Sequence, residues 1–323
     1  MRIINIKYTD FWRKFDAENF IFTRLLSKHY DVRIAKYKSD PVDLLIYSCF
    51  GNEHLKYNSS LKLFFTGENI LPNFNDCDYA IGFSYMNFDE RYLRYPLFLL
   101  YPIKEVGKTY YERIIEEDFY QKTDNRLNDR NFCSLVVSNR SGRDPIFFEI
   151  EEKLSQYKEI AYGGKYKNNT GGRIKDKLSF IANYKFNIAS ENSAVEGYTT
   201  EKIIEPLFAR TIPIYWGNPL INKDFDPRTF INMNDFESID QGIEYIKKVD
   251  NDPELYLSYF KHRPIINEED TTKKLESFLF HIADKRKKYR QDYGNQMKYD
   301  KERRIETALY KNRVIHPFYF FLK

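Results

Sequence analysis

The stretch Tyr184–Pro219, YKFNIASENSAVEGYTTEKIIEPLFARTIPIYWGNP, decides the fold of the second half of the chain. Its apolar beginning predicts a buried strand over Phe186–Ala189 that ends in a polar cluster. Thr199 and Thr200 then offer an N-cap for a helix, and Thr211–Trp216 predicts the next strand. A strand, a polar loop, a helix and a second strand in one run are typical of a parallel α/β sheet.

Lys202 is the unusual residue of this stretch, because it lies in the first turn of the predicted helix, where the helix dipole disfavours a cation. A lysine beside unpaired N–H groups indicates a phosphate site. A solvated lysine, with Glu201 complementing the dipole, is an equally good interpretation of the spacing. Pro206 predicts a kink or a break in the same helix.

The rest of the chain continues the alternation of strands and helices. The spacing of Trp12, Phe15, Phe22, Leu25 and Leu26 predicts a helix after the first strand. Other strands are predicted over Ile3–Ile6, Val32–Tyr37, Val42–Tyr47, Leu61–Phe65, Tyr79–Phe83, Phe132–Val137 and Arg228–Met233, and other helices over Pro145–Tyr157, from Ile239 to Val249 and over Thr271–Arg290. The chain is therefore long enough, and regular enough, for two α/β domains of ordinary size.

Glu68 lies in the segment Thr66-Gly67-Glu68-Asn69, which follows the predicted strand Leu61–Phe65. In an open α/β sheet, ligands bind beyond the carboxyl ends of the strands. Glu68 is therefore either a surface carboxylate that caps the next segment or a general base at the mouth of the first sheet.

Ordered motifs in both halves make the chain resemble the α-1,3/1,4-fucosyltransferases, in particular their bacterial members. The motifs are Phe64-Phe65-Thr66-Gly67-Glu68-Asn69, Pro72-Asn73-Phe74, Asp78-Tyr79-Ala80-Ile81-Gly82-Phe83, Arg91-Tyr92-Leu93-Arg94, Glu191-Asn192, Gly197-Tyr198, Thr200-Glu201-Lys202 and Ile212-Pro213-Ile214-Tyr215-Trp216-Gly217. Their order makes them more specific than any one motif alone. The resemblance covers about Leu63–Phe260, and Ser190 departs from it where the family has an aromatic residue.

The resemblance implies the GT-B fold, with two facing Rossmann-like domains and the active site in the cleft between them. The polar connection Thr123–Asn131, which follows a predicted helix, places a domain boundary near residue 130. We expect an acceptor-side domain over residues 1–130, a donor domain over 131–270 and a helical basic tail over 271–323.

The resemblance also implies roles for individual residues. Glu68 corresponds to the proposed catalytic base, which would accept the proton of a sugar hydroxyl. Arg143, with Arg140 as the rival, corresponds to the arginine that contacts the donor diphosphate, a role that suits the guanidinium fork. The other expected donor-binding residues are Lys167, Glu191, Asn192, Tyr198, Glu201 and Lys202.

The activity implied is inverting transfer of L-fucose from GDP-β-L-fucose to a Gal–GlcNAc (Lewis-type) glycan, such as a lipopolysaccharide O-antigen or a glycoprotein, through an α-1,3 or α-1,4 linkage. The alternatives are a GT-B enzyme that uses another nucleotide sugar and a non-catalytic glycan- or membrane-binding protein. No cofactor is expected to be required, although a divalent metal could stimulate the reaction. Asp76-Cys77-Asp78 is formally a D-x-D metal motif, but it precedes a predicted strand and is interpreted as a chance pattern.

Composition narrows the class of protein further. The net charge of +4 is too small to indicate a nucleic-acid partner, and three widely spaced cysteines predict neither a disulfide framework nor a zinc site. The beginning of the chain resembles a strand and not a signal peptide, so a cytoplasmic location is expected. Basic residues from Lys285 onward and a terminal aromatic run predict either peripheral contact with an anionic membrane surface or a solvated helix.

Overall fold

Two parallel β-sheets, each in a separate compact unit, form the core of the protein. The computed structural model describes residues 1–58, 60–102, 108–121 and 127–289. The first unit contains Met1–Ile81, Phe88–Leu93 and the described residues from Thr272 onward, and the second contains Gly82–Asn87 and Arg94–Thr271.

The regular elements alternate along the chain as in other α/β proteins. The strands are β1 (Arg2–Thr9), β2 (Tyr30–Ile34), β3 (Leu44–Tyr47), β4 (Leu61–Phe65), β5 (Tyr79–Gly82), β6 (Tyr92–Arg94), β7 (Asn131–Leu135), β8 (Ile160–Tyr162), β9 (Tyr184–Ser190), β10 (Ile212–Trp216) and β11 (Ile231–Asn232). The α-helices are α1 (Ile21–Leu26), α2 (Tyr110–Ile114), α3 (Glu117–Gln121), α4 (Pro145–Tyr157), α5 (Lys177–Ile181), α6 (Glu201–Phe208), α7 (Ile239–Asn251), α8 (Pro253–Ser258) and α9 (Thr271–Lys285).

The first sheet has the strand order β2-β1-β3-β4-β5-β6, and the pairs from β2 to β5 are parallel. Strands β3, β4 and β5 are buried at every position, which is why their sequences are almost continuous apolar runs. Helix α9 packs on this unit with Leu275, Leu279 and Ile282 fully buried. The helix predicted over Thr271–Arg290 as part of the basic tail therefore ends at Lys285 and belongs with the first sheet.

The helix predicted from the spacing of Trp12 to Leu26 is wrong over its first half, because only Ile21–Leu26 is helical. Asp10 and Lys14 have positive φ angles of 60° and 71°, which a right-handed helix does not allow. The aromatic residues of this segment pack against one another in a loop instead, and Phe11 stacks on Phe15 with ring centroids 4.0 Å apart.

The second sheet has the order β11-β10-β9-β7-β8 with all its pairs parallel. Strands β7 and β9 are therefore neighbours near its centre. Helix α4 has the predicted bounds, since Asp144 caps it by accepting the N–H of Ile146 at 3.0 Å and proline occupies its first position. The buried faces of α4 and α7 pack in the same hydrophobic core as this sheet.

The compact units divide the chain between Ile81 and Arg94 and not near residue 130, whereas the division after Thr271 falls one residue from the predicted boundary at 270. Arg94 binds Asp224 through two hydrogen bonds of 2.9 and 2.6 Å, and the ring of Tyr110 in α2 lies 5.0 Å from that of Phe208 in α6. These contacts hold the region from Arg94 to α2 within the second unit. The predicted domain boundaries at 130 and 270 stay a prediction.

No helix within the described segments is long and apolar enough to cross a membrane. Most of the basic tail, from Arg290 onward, lies outside the described residues, so its predicted membrane contact stays a prediction.

Candidate functional site

A cavity of about 300 Å³ lies at the carboxyl ends of β7 and β9 in the second unit. Because these two parallel strands are paired, the loops that follow them emerge side by side. The first turns of α6 form another wall. The lining residues are Val136, Val137, Ser138, Asn139, Ser141, Arg143, Phe147, Lys177, Asn187, Ile188, Ser190, Asn192, Glu201, Lys202 and Glu205.

Lys202 lines the cavity, and oxygen atoms of three neighbouring residues surround its ammonium group. Its Nζ donates to Oε2 of Glu191 at 3.0 Å and to Oγ1 of Thr200 at 2.9 Å, and lies 3.7 Å from Oε1 of Glu201. The side chain is 18% exposed. Burial alone would lower the pKa of Lys202, but the charges of Glu191 and Glu201 outweigh burial and raise it above the usual value. Lys202 is therefore a fixed positive charge.

Glu191 is fully buried, with 0% of its surface exposed. Its Oε1 accepts the Thr200 N–H at 2.7 Å, and the Thr200 hydroxyl lies 2.8 Å from Oε2. Burial raises the pKa of Glu191, and the positive charge of Lys202 opposes that rise. Thr200 is the N-cap of α6, as predicted, but its hydroxyl binds Glu191 and Lys202 and not an N–H of the helix.

The backbone after β10 approaches Glu191 so closely that only glycine fits there. Gly217 has φ of +156°, and a Cβ atom on it would lie 2.6 Å from Cγ of Glu191. The Glu191 N–H also donates to the carbonyl of Trp216 at 2.8 Å. The end of β10 therefore fixes the residue that in turn holds Lys202.

Arg143 is the second cation at the cavity. Its Nε donates to the carbonyl of Asn139 at 3.0 Å, one terminal nitrogen donates to the carbonyl of Ser190 at 3.4 Å, and its guanidinium lies 4.6 Å from the centre of the Phe147 ring. Burial lowers the pKa of Arg143, although the charges of Glu191 and Glu201 oppose this effect. Both bonds use backbone carbonyls, which leaves the charge of Arg143 available to an anion.

Two further charged residues line the cavity, and sequence reasoning missed them. Lys177 and Glu205 form an ion pair in which Glu205 is buried. Glu205 lies four residues after Glu201 on α6, so helical spacing could have placed both carboxylates on one face. Nothing in the sequence connects Lys177, at the start of α5, with this site.

The predicted donor-binding residues separate into two groups. Four of them line the cavity: Arg143, Asn192, Glu201 and Lys202. Glu191 does not line it, but is fully buried and binds Lys202. Tyr198 is buried against Phe83, with ring centroids 5.2 Å apart, and does not line the cavity.

Lys167 and Arg140 lie away from the cavity lining. Lys167 pairs with the buried carboxylate of Glu151, whose other oxygen accepts the hydroxyl of Tyr166 at 3.0 Å. Arg140 is exposed, and its guanidinium lies 5.3 Å from the centre of the Phe148 ring. Of the two rival arginines, Arg143 is thus the one at the cavity.

Glu68 belongs to the first unit, where it directly follows the loop residues Thr66 and Gly67 after β4. Its side chain is exposed, and its backbone N–H donates to Oγ1 of Thr66 at 3.0 Å. The carboxylate is therefore at the carboxyl edge of the first sheet, where open α/β sheets bind their ligands.

The D-x-D pattern has a structural role. Asp76 and Asp78 are buried, and Oδ2 of Asp78 accepts the Lys62 N–H at 2.9 Å. Within the described part of the chain, no three His, Cys, Asp or Glu side chains form a group that could hold a metal ion. The three cysteines are free thiols.

The charges at the cavity suit a ligand with both phosphate and hydroxyl groups. Arg143 and Lys202, beside the N-terminus of α6, can bind a diphosphate and stabilise negative charge that develops on it. Glu201 and Glu205 can accept hydrogen bonds from hydroxyl or ring N–H groups. This combination is what binding of a nucleotide sugar requires.

Comparisons with known proteins agree with this chemistry. Residues 6–101 match the N-terminal domain of the alpha-(1,3)-fucosyltransferase FucT, and residues 128–303 match the C-terminal part of glycosyltransferase family 10 (fucosyltransferase). The chain is 34% identical over 275 residues to the alpha-(1,3)-fucosyltransferase FucT of Helicobacter pylori, an alignment that covers 77% of this chain and 57% of that protein. It is 40% identical over 113 residues to alpha-(1,3)-fucosyltransferase B of Drosophila melanogaster, covering 33% of this chain and 25% of that one. The chain thus spans little more than half the length of the Helicobacter protein and about a quarter of the length of the Drosophila protein.

A solved structure is similar over nearly its whole length. A crystal structure of an alpha1,3-fucosyltransferase with GDP-fucose has a TM-score of 0.74 and 29% identity, and the match covers 90% of this chain and 93% of that one. The predicted fold class, GT-B with two Rossmann-like α/β domains, is confirmed, whereas the interdomain position of the active site stays a prediction. The match of residues 128–303 to the family's C-terminal part and the 34% identity to the Helicobacter protein show that this chain belongs to glycosyltransferase family 10, the fucosyltransferases.

Proposed function

We propose that this protein transfers L-fucose from GDP-β-L-fucose to a hydroxyl group of a Gal–GlcNAc glycan, with inversion, to form an α-1,3 linkage. The observation that carries the proposal is the cavity that Arg143, Glu201 and Lys202 line at the start of α6. A related crystal structure contains GDP-fucose, and the cations of this cavity are suited to the diphosphate of the same donor.

The proposed reaction requires a base and a stabilised leaving group. The hydroxyl oxygen of the acceptor bonds to the anomeric carbon of fucose, and Glu68 accepts the proton that this hydroxyl loses. The bond from that carbon to the β-phosphate oxygen breaks, and its electron pair leaves with GDP. Arg143 and Lys202 stabilise the charge that develops on the diphosphate, which lowers the barrier most when the cations are already in place.

The deciding experiment is incubation of the protein with GDP-fucose and a panel of type 1 and type 2 Gal–GlcNAc acceptors, followed by linkage mapping of the products. Glu68→Gln is the matched variant, because it keeps the shape of the side chain and removes its basicity. We expect it to bind GDP-fucose with unchanged affinity in calorimetry and to lose turnover by roughly 100- to 10,000-fold. Turnover near that of the parent protein would remove Glu68 from the role of base.

A thermal-shift panel of GDP- and UDP-sugars tests the donor separately. GDP-fucose should stabilise the protein and UDP-sugars should not. Lys202→Ala should weaken binding of GDP, and an unchanged affinity would contradict the assignment of Lys202 to the diphosphate.

The cytoplasmic location and the peripheral membrane contact expected from the sequence remain part of the proposal. The support for the membrane contact is the cluster of basic residues from Lys285 to Lys288, at and after the end of α9. Co-sedimentation with anionic and neutral lipid vesicles tests the contact, and equal binding to both would contradict it.

A further inference from the structure

Two large aromatic side chains remain exposed together at the carboxyl edge of the first sheet. Trp12 follows β1 and is 44% exposed, and Phe50 follows β3 and is 50% exposed. Their ring centroids are 6.4 Å apart and their planes are nearly perpendicular, at 84°. Because β1 and β3 are paired parallel neighbours, the two loops emerge beside each other and form what is called here the aromatic corner.

Trp12 is held by other rings. It packs edge-to-face against Phe15 at 5.1 Å and against Phe11 at 5.5 Å. Phe11 in turn stacks near Phe65 at the end of β4, with centroids 6.4 Å apart. The exposed face of Trp12 is therefore the outer surface of a packed aromatic cluster.

Phe50 is held by its backbone and by the loop that follows it. The Phe50 N–H donates to the carbonyl of Asp10 at 2.9 Å. The Asp10 carboxylate accepts the N–H groups of Glu53 at 2.8 Å and His54 at 2.9 Å. A Cβ atom on Gly51 would lie 2.3 Å from Oδ1 of Asp10, so this carboxylate and the loop fit closely. The exposure of Phe50 is thus built into the fold.

The aromatic corner lies next to Glu68. Strand β4 is paired with β3, and Sγ of Cys49, the neighbour of Phe50, lies 3.2 Å from Oγ1 of Thr66. The same Thr66 oxygen accepts the Glu68 N–H at 3.0 Å. Burial raises the pKa of Cys49, and the negative charge of Glu68 adds to the rise. Trp12, Phe50 and Glu68 therefore follow three adjacent strands at one edge.

The chemistry of the corner selects its ligand. Exposed aromatic residues that occur singly on a surface need no explanation. Trp12 and Phe50, however, form a pair of fixed rings, and this apolar surface lies beside Glu68, the carboxylate of the proposed reaction. A pyranose ring fits this surface, because its C–H face packs on an aromatic ring, whose negative face attracts the weakly positive hydrogens. Its hydroxyl groups meanwhile point outward toward groups such as a carboxylate.

We propose that Trp12 and Phe50 form the subsite for the acceptor sugar, with the pyranose ring that receives fucose, or its immediate neighbour, packed on Trp12. This inference rests on the proposed function for the identity of the reaction. The aromatic corner then sets acceptor affinity, whereas the cavity of the second unit sets donor affinity.

Tryptophan fluorescence tests the subsite without turnover. The chain has two tryptophans, and Trp216 is only 8% exposed whereas Trp12 is open to a ligand. Titration of the full chain with N-acetyllactosamine, without donor, should change the emission intensity or wavelength in a saturable way. Trp12→Phe should abolish this signal and keep a packing face. The signal of Tyr37→Ala, which removes an aromatic residue 73% exposed after β2, should match that of the parent protein.

Kinetics with GDP-fucose and N-acetyllactosamine provide the second test. Trp12→Ala and Phe50→Ala should each raise the acceptor KM roughly three- to tenfold, leave the affinity for GDP unchanged, and retain cooperative thermal unfolding. Trp12→Phe should lie between Trp12→Ala and the parent protein. Unchanged emission on titration of the parent protein, or an acceptor KM within twofold of the parent in both alanine variants, would overturn the proposal.

The two proposals fail in distinguishable ways. If the parent protein transfers fucose and the alanine variants keep its acceptor KM, the subsite is wrong and the proposed function stands. If no acceptor in the panel is fucosylated, the proposed function is wrong, and a saturable emission change that Trp12→Phe removes still supports a sugar subsite at the aromatic corner.

Discussion

At the scale of single residues, Lys202 and Glu191 depend on each other. Both side chains are largely buried, and each supplies the charge that the other needs. Removing one partner of such a pair leaves an uncompensated buried charge, at a cost of about 3–5 kcal/mol. The pair therefore makes a prediction about stability as well as about donor binding.

We predict that Lys202→Met lowers the free energy of unfolding more at pH 8 than at pH 5. Burial already raises the pKa of Glu191 above its ordinary value of 4.5, and loss of Lys202 removes the charge that opposes this rise. A group whose pKa is raised on folding contributes stability that is complete below its unfolded-state pKa and is lost as the pH rises through its folded-state pKa. Denaturant titrations at the two pH values measure the difference.

The double variant Lys202→Met with Glu191→Gln is the matched control, because it removes both charges. It should recover most of the stability at pH 8 and lose the excess pH dependence of the single variant. A single variant whose loss of stability is equal at both pH values would contradict the argument.

Arg143 is predicted to matter through the shape of its guanidinium. Arg143→Lys keeps the charge but cannot make both bonds, to the carbonyls of Asn139 and Ser190, and present a fork to the diphosphate. We expect GDP affinity to fall by about tenfold in calorimetry, since one or more charge-assisted hydrogen bonds are lost. Arg140→Ala, at the rival position, should bind GDP like the parent protein. The reverse ranking of the two variants would transfer the phosphate role to Arg140.

At the scale of elements, the close approach of the end of β10 to Glu191 can be tested with a pair of glycines. Gly217 and Gly172 have almost the same φ, +156° and +158°, but a Cβ atom would meet Glu191 at the first position and nothing within 4 Å at the second. Gly217→Ala should therefore be the more destabilising by about 1–3 kcal/mol and should also weaken GDP binding, because Glu191 must move away from Lys202. Chemical denaturation and calorimetry on both variants measure the two effects. Equal losses of stability would mean that backbone strain, and not the contact with Glu191, requires glycine at Gly217.

Elements could be predicted from the sequence wherever local signals agree. β4 and α4 have the predicted bounds, because one is an unbroken apolar run and the other has an Asp cap followed by proline. The helix expected from Trp12 failed because its aromatic spacing reflects a packed loop, and periodicity does not distinguish the two. Pro206 lies inside α6, which continues only two residues farther, to Phe208.

The candidate site was also predictable only in part, because local motifs do not show which residues tertiary packing brings together. Motif order identified Asn192, Glu201 and Lys202, which all line the cavity. It left Arg143 and Arg140 as rivals, and of these two Arg143 lines the cavity. It could not show that Glu191 is buried and binds Lys202, since the burial of Glu191 depends on the close approach of the backbone after β10. Nor could it find Lys177, because a residue on a short separate helix joins the cavity through tertiary packing alone.

At the scale of the whole molecule, the two units carry different chemistry. The second holds the cations of the donor cavity, and the first holds an exposed carboxylate and the aromatic corner. The chain passes between the units more than once, since Gly82–Asn87 and Arg94–Thr271 form the second unit and flanking segments form the first. The segment from Arg94 to α3, which the sequence assigns to the acceptor side, should therefore respond to donor binding.

Hydrogen exchange monitored by mass spectrometry tests that response. GDP at about 100 times its Kd stabilises the state that binds it by about 2.7 kcal/mol, which corresponds to roughly 100-fold slower exchange for amides that exchange through unfolding of that unit. We expect this slowing in β9 and equally in α2, because Tyr110 of α2 packs on Phe208 of α6 and the Tyr110 N–H donates to the carbonyl of Tyr101 at 3.0 Å. Arg143→Lys, at the same GDP concentration, should show less slowing in both segments. Slowing in β9 with none in α2 would instead support a domain boundary near residue 130.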